Sequence, residues 1–211
     1  LAKKLCFFEE RENRMVRQRE FDEEKALDAA MQLFWEKGYA ATSLSDLTAK
    51  MGIQRPSLYS AFGDKEQLFE AALRKYTNLH ASDIRTKLQK YPSVKEAIRA
   101  FFEDLVEEEY KESQHKGCFC INTMVELAPH DEKFEILTRE HQMYLTVIFQ
   151  EALVRGIRSG ELESSLNAKL LAQTLVTTLI GLTVLMKSRP ERSFVDNSVA
   201  AVLSLVNLPH L

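Results

Sequence analysis

Arg55, Ser57, Tyr59 and Ser60 fall within six positions and surround Leu58, which pairs with Phe62 at i, i+4. If that apolar pair turns inward on a helix, the four polar side chains face out together. Donors and acceptors projecting from one face of a short rigid helix suit base edges and phosphates in a major groove. Arg55 is expected on a guanine edge or a phosphate, and Ser57 and Ser60 on bases or the backbone. Pro56 lies in the helix's first turn, where a missing N–H is harmless. Thr42 and Ser43 precede another helix, where hydroxyls and free backbone N–H groups favour phosphate. Lys65 opens a further helix beside the same backbone track.

A second set has the character of a small-molecule pocket, in which a few fixed polar groups stand among apolar walls. His80, Phe101, Phe102 and Phe119 fall on inward faces of later helices, as do Asn122, Glu126, His141 and Tyr144. Asn122 and Glu126, one turn apart among apolar neighbours, form the sharpest pair, although both could bond to the protein itself. Cys118 follows His115 and Lys116 and opens a helix, features that favour thiolate and allow a redox or electrophile sensor. Two cysteines on one helix, Cys118 and Cys120, are more often small apolar fillers. Glu112-x-x-His115 has the spacing of a carboxylate-bridged metal site, but no second copy accompanies it. No Gly-rich phosphate loop, CxxC pair or nucleophile elbow is present, so no catalytic residue, metal or cofactor is expected.

These side chains need elements to hold them. Ser43 and Asp46 form a capping-box pair, Leu44, Leu47 and Met51 share a face, and Gly52 and Ile53 make the turn. Asp64 caps the next helix with Gln67 in the box position. Ahead of them, a helix starting at Asp22 carries Leu27, Ala30, Met31 and Phe34 until Gly38. A long helix from Lys65 to about Leu88 runs into the second half of the chain and is the expected carrier of any signal to the reading helix. Further helices follow to Pro190 and beyond, giving an all-α fold of about nine helices.

Gly52-Ile53, Ser57-Leu58-Tyr59, Phe62 and Lys65-Glu66, at these spacings, resemble the DNA-binding domain of the TetR/AcrR family of transcriptional regulators. The resemblance runs from about Phe21 to Leu73. It implies a cytoplasmic bacterial homodimer whose N-terminal helix-turn-helix domains bind palindromic double-stranded operator DNA. Larger C-terminal domains would bind a small-molecule inducer of unknown identity that releases a repressor. It also places Tyr59 at a phosphate-contacting position. The expected organisation is an extension over 1–20, a helix-turn-helix domain over 21–65, and an effector-binding and dimerisation domain over 66–211. Within the last, two apolar helices supply the dimer bundle, with Leu175, Leu179, Leu182 and Met186 on one and Val199, Val202 and Val206 on the other.

The totals are consistent with this reading. The 211 residues are 45% hydrophobic, enough for a sizeable core, and 28 Lys plus Arg against 31 Asp plus Glu give no global basic field. DNA binding must then rest on local charge, from Arg14, Arg17, Arg19, Lys50, Arg55 and Lys65, doubled by dimerisation. Three cysteines make no disulfide framework and fit a reducing compartment. Residues 1 to about 14 read as a charged extension, with Met15 a plausible natural start. The acidic run Glu103 to Glu109 reads as a solvated face. The most apolar stretch, Leu175 to Met186, is too short to span a bilayer.

Overall fold

Nine α-helices and one 3-10 turn occupy the described residues, 21–111 and 116–207, of the computed structural model, and none of those residues forms a strand. In chain order they are α1 (Glu23–Lys37), α2 (Leu44–Met51), α3 (Arg55–Phe62), α4 (Lys65–Gln89) and α5 (Val94–Lys111). After them come α6 (Phe119–Glu126), α7 (Glu132–Arg158), α8 (Ala168–Leu185), the 3-10 turn (Met186–Ser188) and α9 (Arg192–Asn207). Cys6, the expected extension with Arg14, Arg17 and Arg19, and the Glu112-x-x-His115 motif lie outside the described residues.

Helix ends in the N-terminal head are fixed by side chains that satisfy otherwise orphaned N–H groups. The Asp22 carboxylate accepts from Glu24 N and Lys25 N. Ser43 and Asp46 cap α2 reciprocally, as do Asp64 and Gln67 at α4. Gly52 ends α2 in the left-handed conformation (φ 68°), which side chains larger than hydrogen rarely adopt. Inside the head, Phe69 is 1% exposed and meets Phe34, Tyr39, Phe119 and Phe134 edge-on, with centroids 4.9–5.3 Å away. Such edge-to-face contacts add to the burial itself. Because Phe119 lies on α6 and Phe134 on α7, the head's core continues into the second half of the chain.

A second core joins the far half of α4 to α5, α7, α8 and α9. Glu161 closes it by accepting from Ser93 Oγ, Val94 N and Lys95 N at the start of α5, and Arg155 donates to Leu88 O at the end of α4. The expected apolar stretch Leu175 to Met186 is the second half of a longer segment. Ala168–Ser188 is long and apolar enough to cross a bilayer by composition, yet much of it is buried against α7 and α9.

The residues expected at the dimer interface do not face outward. Leu175, Leu179, Leu182, Met186, Val199, Val202 and Val206 are each at most 6% exposed within the single chain and belong to its core. Most of the aliphatic side chains of α8 and α9 are those the protomer itself buries. The faces left outside carry Leu170, Thr177, Gly181 and Val184 on α8 and Phe194, Ala200 and Ala201 on α9.

Candidate nucleic-acid interface and effector cavity

α3 is anchored by Leu58, 1% exposed, and by Phe62, whose ring packs 6.4 Å from that of Phe21. The opposite face presents Arg55, Pro56, Tyr59 and Ser60 to solvent, with Ser57 half-buried. Gln54 occupies the cap position without making a side-chain cap bond, so the first N–H groups of α3 stay open to a phosphate. Arg55 donates to Ser45 Oγ at 2.7 Å, which aligns the guanidinium across the turn from α2. Nothing in the sequence alone marks Gln54 and Ser45 as part of this surface; only the cap position and the helix-turn-helix geometry reveal them.

Two expected DNA contacts are committed elsewhere. Thr42 is 1% exposed, and its hydroxyl donates to Gly38 O at 2.6 Å, so it fastens the α1–α2 turn instead of facing a phosphate. Lys65 Nζ donates to Tyr39 O at 2.6 Å and lies 4.2 Å from the Tyr39 ring centroid, and desolvation pulls its pKa below the usual lysine value. Ser43 remains exposed, with its Oγ accepting from Asp46 N. Several other head lysines face carboxylates: Lys25 meets Asp22, Lys37 meets Asp46, and Lys75 meets Asp28. Lys50, in the last turn of α2, is exposed beside the reading surface. Positive charge on the head is therefore concentrated near α3.

The eight expected effector residues divide among several places. His80, Phe101 and His141 line a cavity of about 340 Å³ between α1, α4, α5, α6, α7 and α8. His80 Nδ1 and His141 Nε2 lie 3.1 Å apart, and Tyr76 stacks on His80 at 5.4 Å. One imidazole must donate and the other accept, so the pair leaves one donor and one acceptor at its outer nitrogens. Burial holds both pKa values down, to about 4, and both rings are neutral near pH 7. Tyr76, Met124, Thr138, Gln142 and Thr183 add to the wall, and Asp83, Lys87, Glu108 and Glu109 bring charge to it. Thr138, Gln142 and Thr183 carry no mark in the sequence, because a threonine or glutamine at a helical position gives no signal of its own.

Phe119, Asn122 and Glu126 line a different cavity, of about 570 Å³, between α1, α6 and the end of α8. Both members of the sharpest pair are bonded to the protein: Asn122 Nδ2 donates to Lys116 O at 2.9 Å, and the Glu126 carboxylate accepts from Tyr39 N and Ala40 N. Tyr144 is 48% exposed and lines an outer groove between α4 and α7. Phe102 is fully buried against Phe101 and Phe149 as core. Cys118 is not poised as a thiolate: it is 7% exposed, and burial pushes its thiol pKa up, as it does that of Cys120. Among the described residues no cluster of His, Cys, Asp or Glu has the arrangement of a metal site.

Residues 26–72 match the family profile described as bacterial regulatory proteins, tetR family, and residues 94–202 match the tetracyclin repressor-like C-terminal domain. Over 194 residues the chain is 32% identical to the HTH-type transcriptional regulator YezE of Bacillus subtilis (strain 168), covering 92% of this chain and 100% of the relative. It is 31% identical over 165 residues to the HTH-type transcriptional repressor ComR of Escherichia coli (strain K12), covering 78% and 79%. Among solved structures, a cysteine mutant of the TetR family transcriptional regulator CifR, complexed with 26-bp double-strand operator DNA, superimposes with a TM-score of 0.78. That pair is 32% identical, over 89% of this chain and 98% of the other. With profiles matched in both halves, and α3 set on its anchor as a reading helix, the chain belongs to the TetR family of bacterial regulatory proteins.

Proposed function

We propose that this protein is a one-component transcriptional repressor that binds a palindromic operator as a homodimer in the cytoplasm and is released by a small molecule. The observation that carries the reading is α3 itself, an anchored helix with an uncapped N-terminus and Arg55, Tyr59 and Ser60 exposed on one face. Arg55 reads a base edge or clamps a phosphate, Tyr59 and Ser43 contact the backbone, and Ser57 and Ser60 supply shorter-range hydrogen bonds. ComR and CifR support this reading, the first through its description as a repressor and the second through its bound operator.

The head carries more acidic than basic residues between Asp22 and Lys65, so one head alone has little to hold a polyanion. Two heads on half-sites one helical turn apart, about 34 Å, double the contacts and make affinity depend on their spacing. The outward faces of α8 and α9, with Thr177, Gly181, Ala200 and Ala201 flanked by Leu170, Val184 and Phe194, are the proposed dimer surface. The cavity beside His80 and His141 is the proposed effector site, and its wall selects a mostly apolar ligand carrying one or two hydrogen-bonding groups. Effector favours a head spacing that no longer matches successive major grooves.

The test is binding of the purified protein to the DNA flanking its own gene, at two salt concentrations and against scrambled competitor. A sequence preference is expected, with affinity falling as salt rises in proportion to the phosphates contacted. Equal binding to the scrambled DNA would overturn the assignment.

A further inference from the structure

α6 is fastened to the head at both ends. Just before it begins, Trp35 Nε1 on α1 donates to Gly117 O at 2.9 Å. At its other end, the Glu126 carboxylate accepts from Tyr39 N at 3.2 Å and from Ala40 N at 2.9 Å, one oxygen to each. The same turn is held from its carbonyl side by Lys65, through Tyr39 O. Gly38, at φ 81°, leaves the space this closure needs, since a Cβ there would stand 3.0 Å from Glu126 Oε2. Between its two fastened ends α6 faces the 340 Å³ cavity with Cys120, Ile121 and Met124.

We propose that Glu126 is the positioning residue that couples the effector cavity to the reading head, with α6 acting as a strut between them. The proposal rests on α3 being the DNA-reading helix. A helix of eight residues moves as one body, and charge-assisted bonds to two successive N–H groups fix the orientation of the turn that receives them. Ala40 lies just ahead of Ser43, the cap of α2, and α2 in turn holds Arg55 through Ser45. Displacement of α6 by a ligand therefore reaches the reading surface over a short path. The expected route along α4, from His80 back to Lys65, is several turns longer.

Hydrogen exchange and DNA binding on the full chain test this. Glu126→Ala and Glu126→Gln are each expected to speed exchange in peptides spanning Tyr39 to Met51 by about tenfold, and to weaken binding to the DNA fragment upstream of the protein's own gene by about tenfold. Glutamine keeps the size of the side chain but offers only one acceptor oxygen, so it separates the clamp from simple packing. Exchange in α8 should not change, and Val125→Ala, at an exposed neighbour on the same helix, should change neither readout. Met124→Trp, which crowds the cavity from α6, should speed exchange at the turn in the presence of Glu126 and add nothing to Glu126→Ala. Unchanged exchange at Tyr39 to Met51, uniform loosening of all helices, unaltered DNA affinity, or additive effects of the Met124 and Glu126 substitutions would each overturn the proposal. If the wild-type protein shows no preference for its upstream fragment, the DNA-reading assignment fails, and the exchange data alone decide whether the clamp exists.

Discussion

On the reading helix the polar side chains stand outward with most of their hydrogen-bonding capacity unused, whereas around the cavity they are paired with one another. Arg55 makes a single bond to Ser45, Tyr59 is 49% exposed, and the first N–H groups of α3 have no side-chain cap. In the cavity, His80 meets His141 and Lys87 is held between Asp83 and Glu108. The head keeps donors in water for a polyanion that arrives with its own hydration. In the cavity an unpaired buried group carries a desolvation penalty, and pairing His80 with His141 limits it to one donor and one acceptor at the outer nitrogens. A DNA partner therefore adds many bonds to the head, while an effector finds only the outer nitrogens of the histidine pair open and must otherwise match bonds already present.

Uncoupling the two heads should break this contrast most visibly. Gly181 sits on the outward face of α8, where an added Cβ would meet nothing within 4 Å, so Gly181→Arg should leave the protomer folded and block a second copy. Sedimentation should then report monomer, and operator affinity should fall by about 10²–10⁴ as the second head's effective concentration is lost. Leu175→Ala, which removes a fully buried side chain one face away, should instead destabilise the protomer by about 2–5 kcal/mol. A dimer that survives Gly181→Arg would place the interface elsewhere.

Next in size is the anchor of the reading surface. Leu58→Ala should cost about 2–5 kcal/mol, with DNA binding lost as α3 detaches, visible in thermal unfolding of the head. Arg55→Ala touches only the outward face. It should leave the melting temperature in place and cost about 1–3 kcal/mol of binding. Loss confined to the preferred sequence marks a base contact, and uniform loss across sequences marks a phosphate contact.

These two regions also differ in how far the sequence exposes them. The head is legible because short helices need punctuation: Ser43 with Asp46, Gly52, and Asp64 with Gln67 fix the ends to within a residue. Leu58 and Phe62 then leave only one face for Arg55, Tyr59 and Ser60. The dimer surface is not legible. α8 is apolar nearly all round, so periodicity cannot separate the face that the protomer buries from the one it offers a partner, and Leu175 belongs to the former. The cavity is legible only in part. His80, Phe101 and His141 face it, but Phe102, next in sequence to Phe101, turns into the core, and Glu126 reaches backwards to a turn 86 positions away. Thr42 and Lys65 depart from expectation for a similar reason, since the carbonyls they bond, Gly38 O and Tyr39 O, become neighbours only when the chain folds.

The smallest effect, absent at neutral pH, tests whether the cavity's pairing is what separates it from the head. An unfolded histidine titrates near pH 6.5, whereas burial holds His80 and His141 at about 4. Above about pH 6.5 neither state binds the extra proton and the pair contributes nothing to pH dependence. Between about 6.5 and 4 only the unfolded chain takes up protons, so stability falls as pH is lowered through that window and levels off below it. Asp83 and Lys87 act on His80 in opposite directions and leave desolvation as the main cause. His141→Gln removes one titrating ring while keeping a group able to bond His80. The drop in melting temperature between pH 7 and pH 5 should therefore be smaller in this variant than in the wild type. Carboxylates titrating outside the cavity are common to both proteins and cancel in the difference. Equal drops would mean that the histidines are charged in the folded state, and the cavity would then resemble the head in keeping its polar groups hydrated.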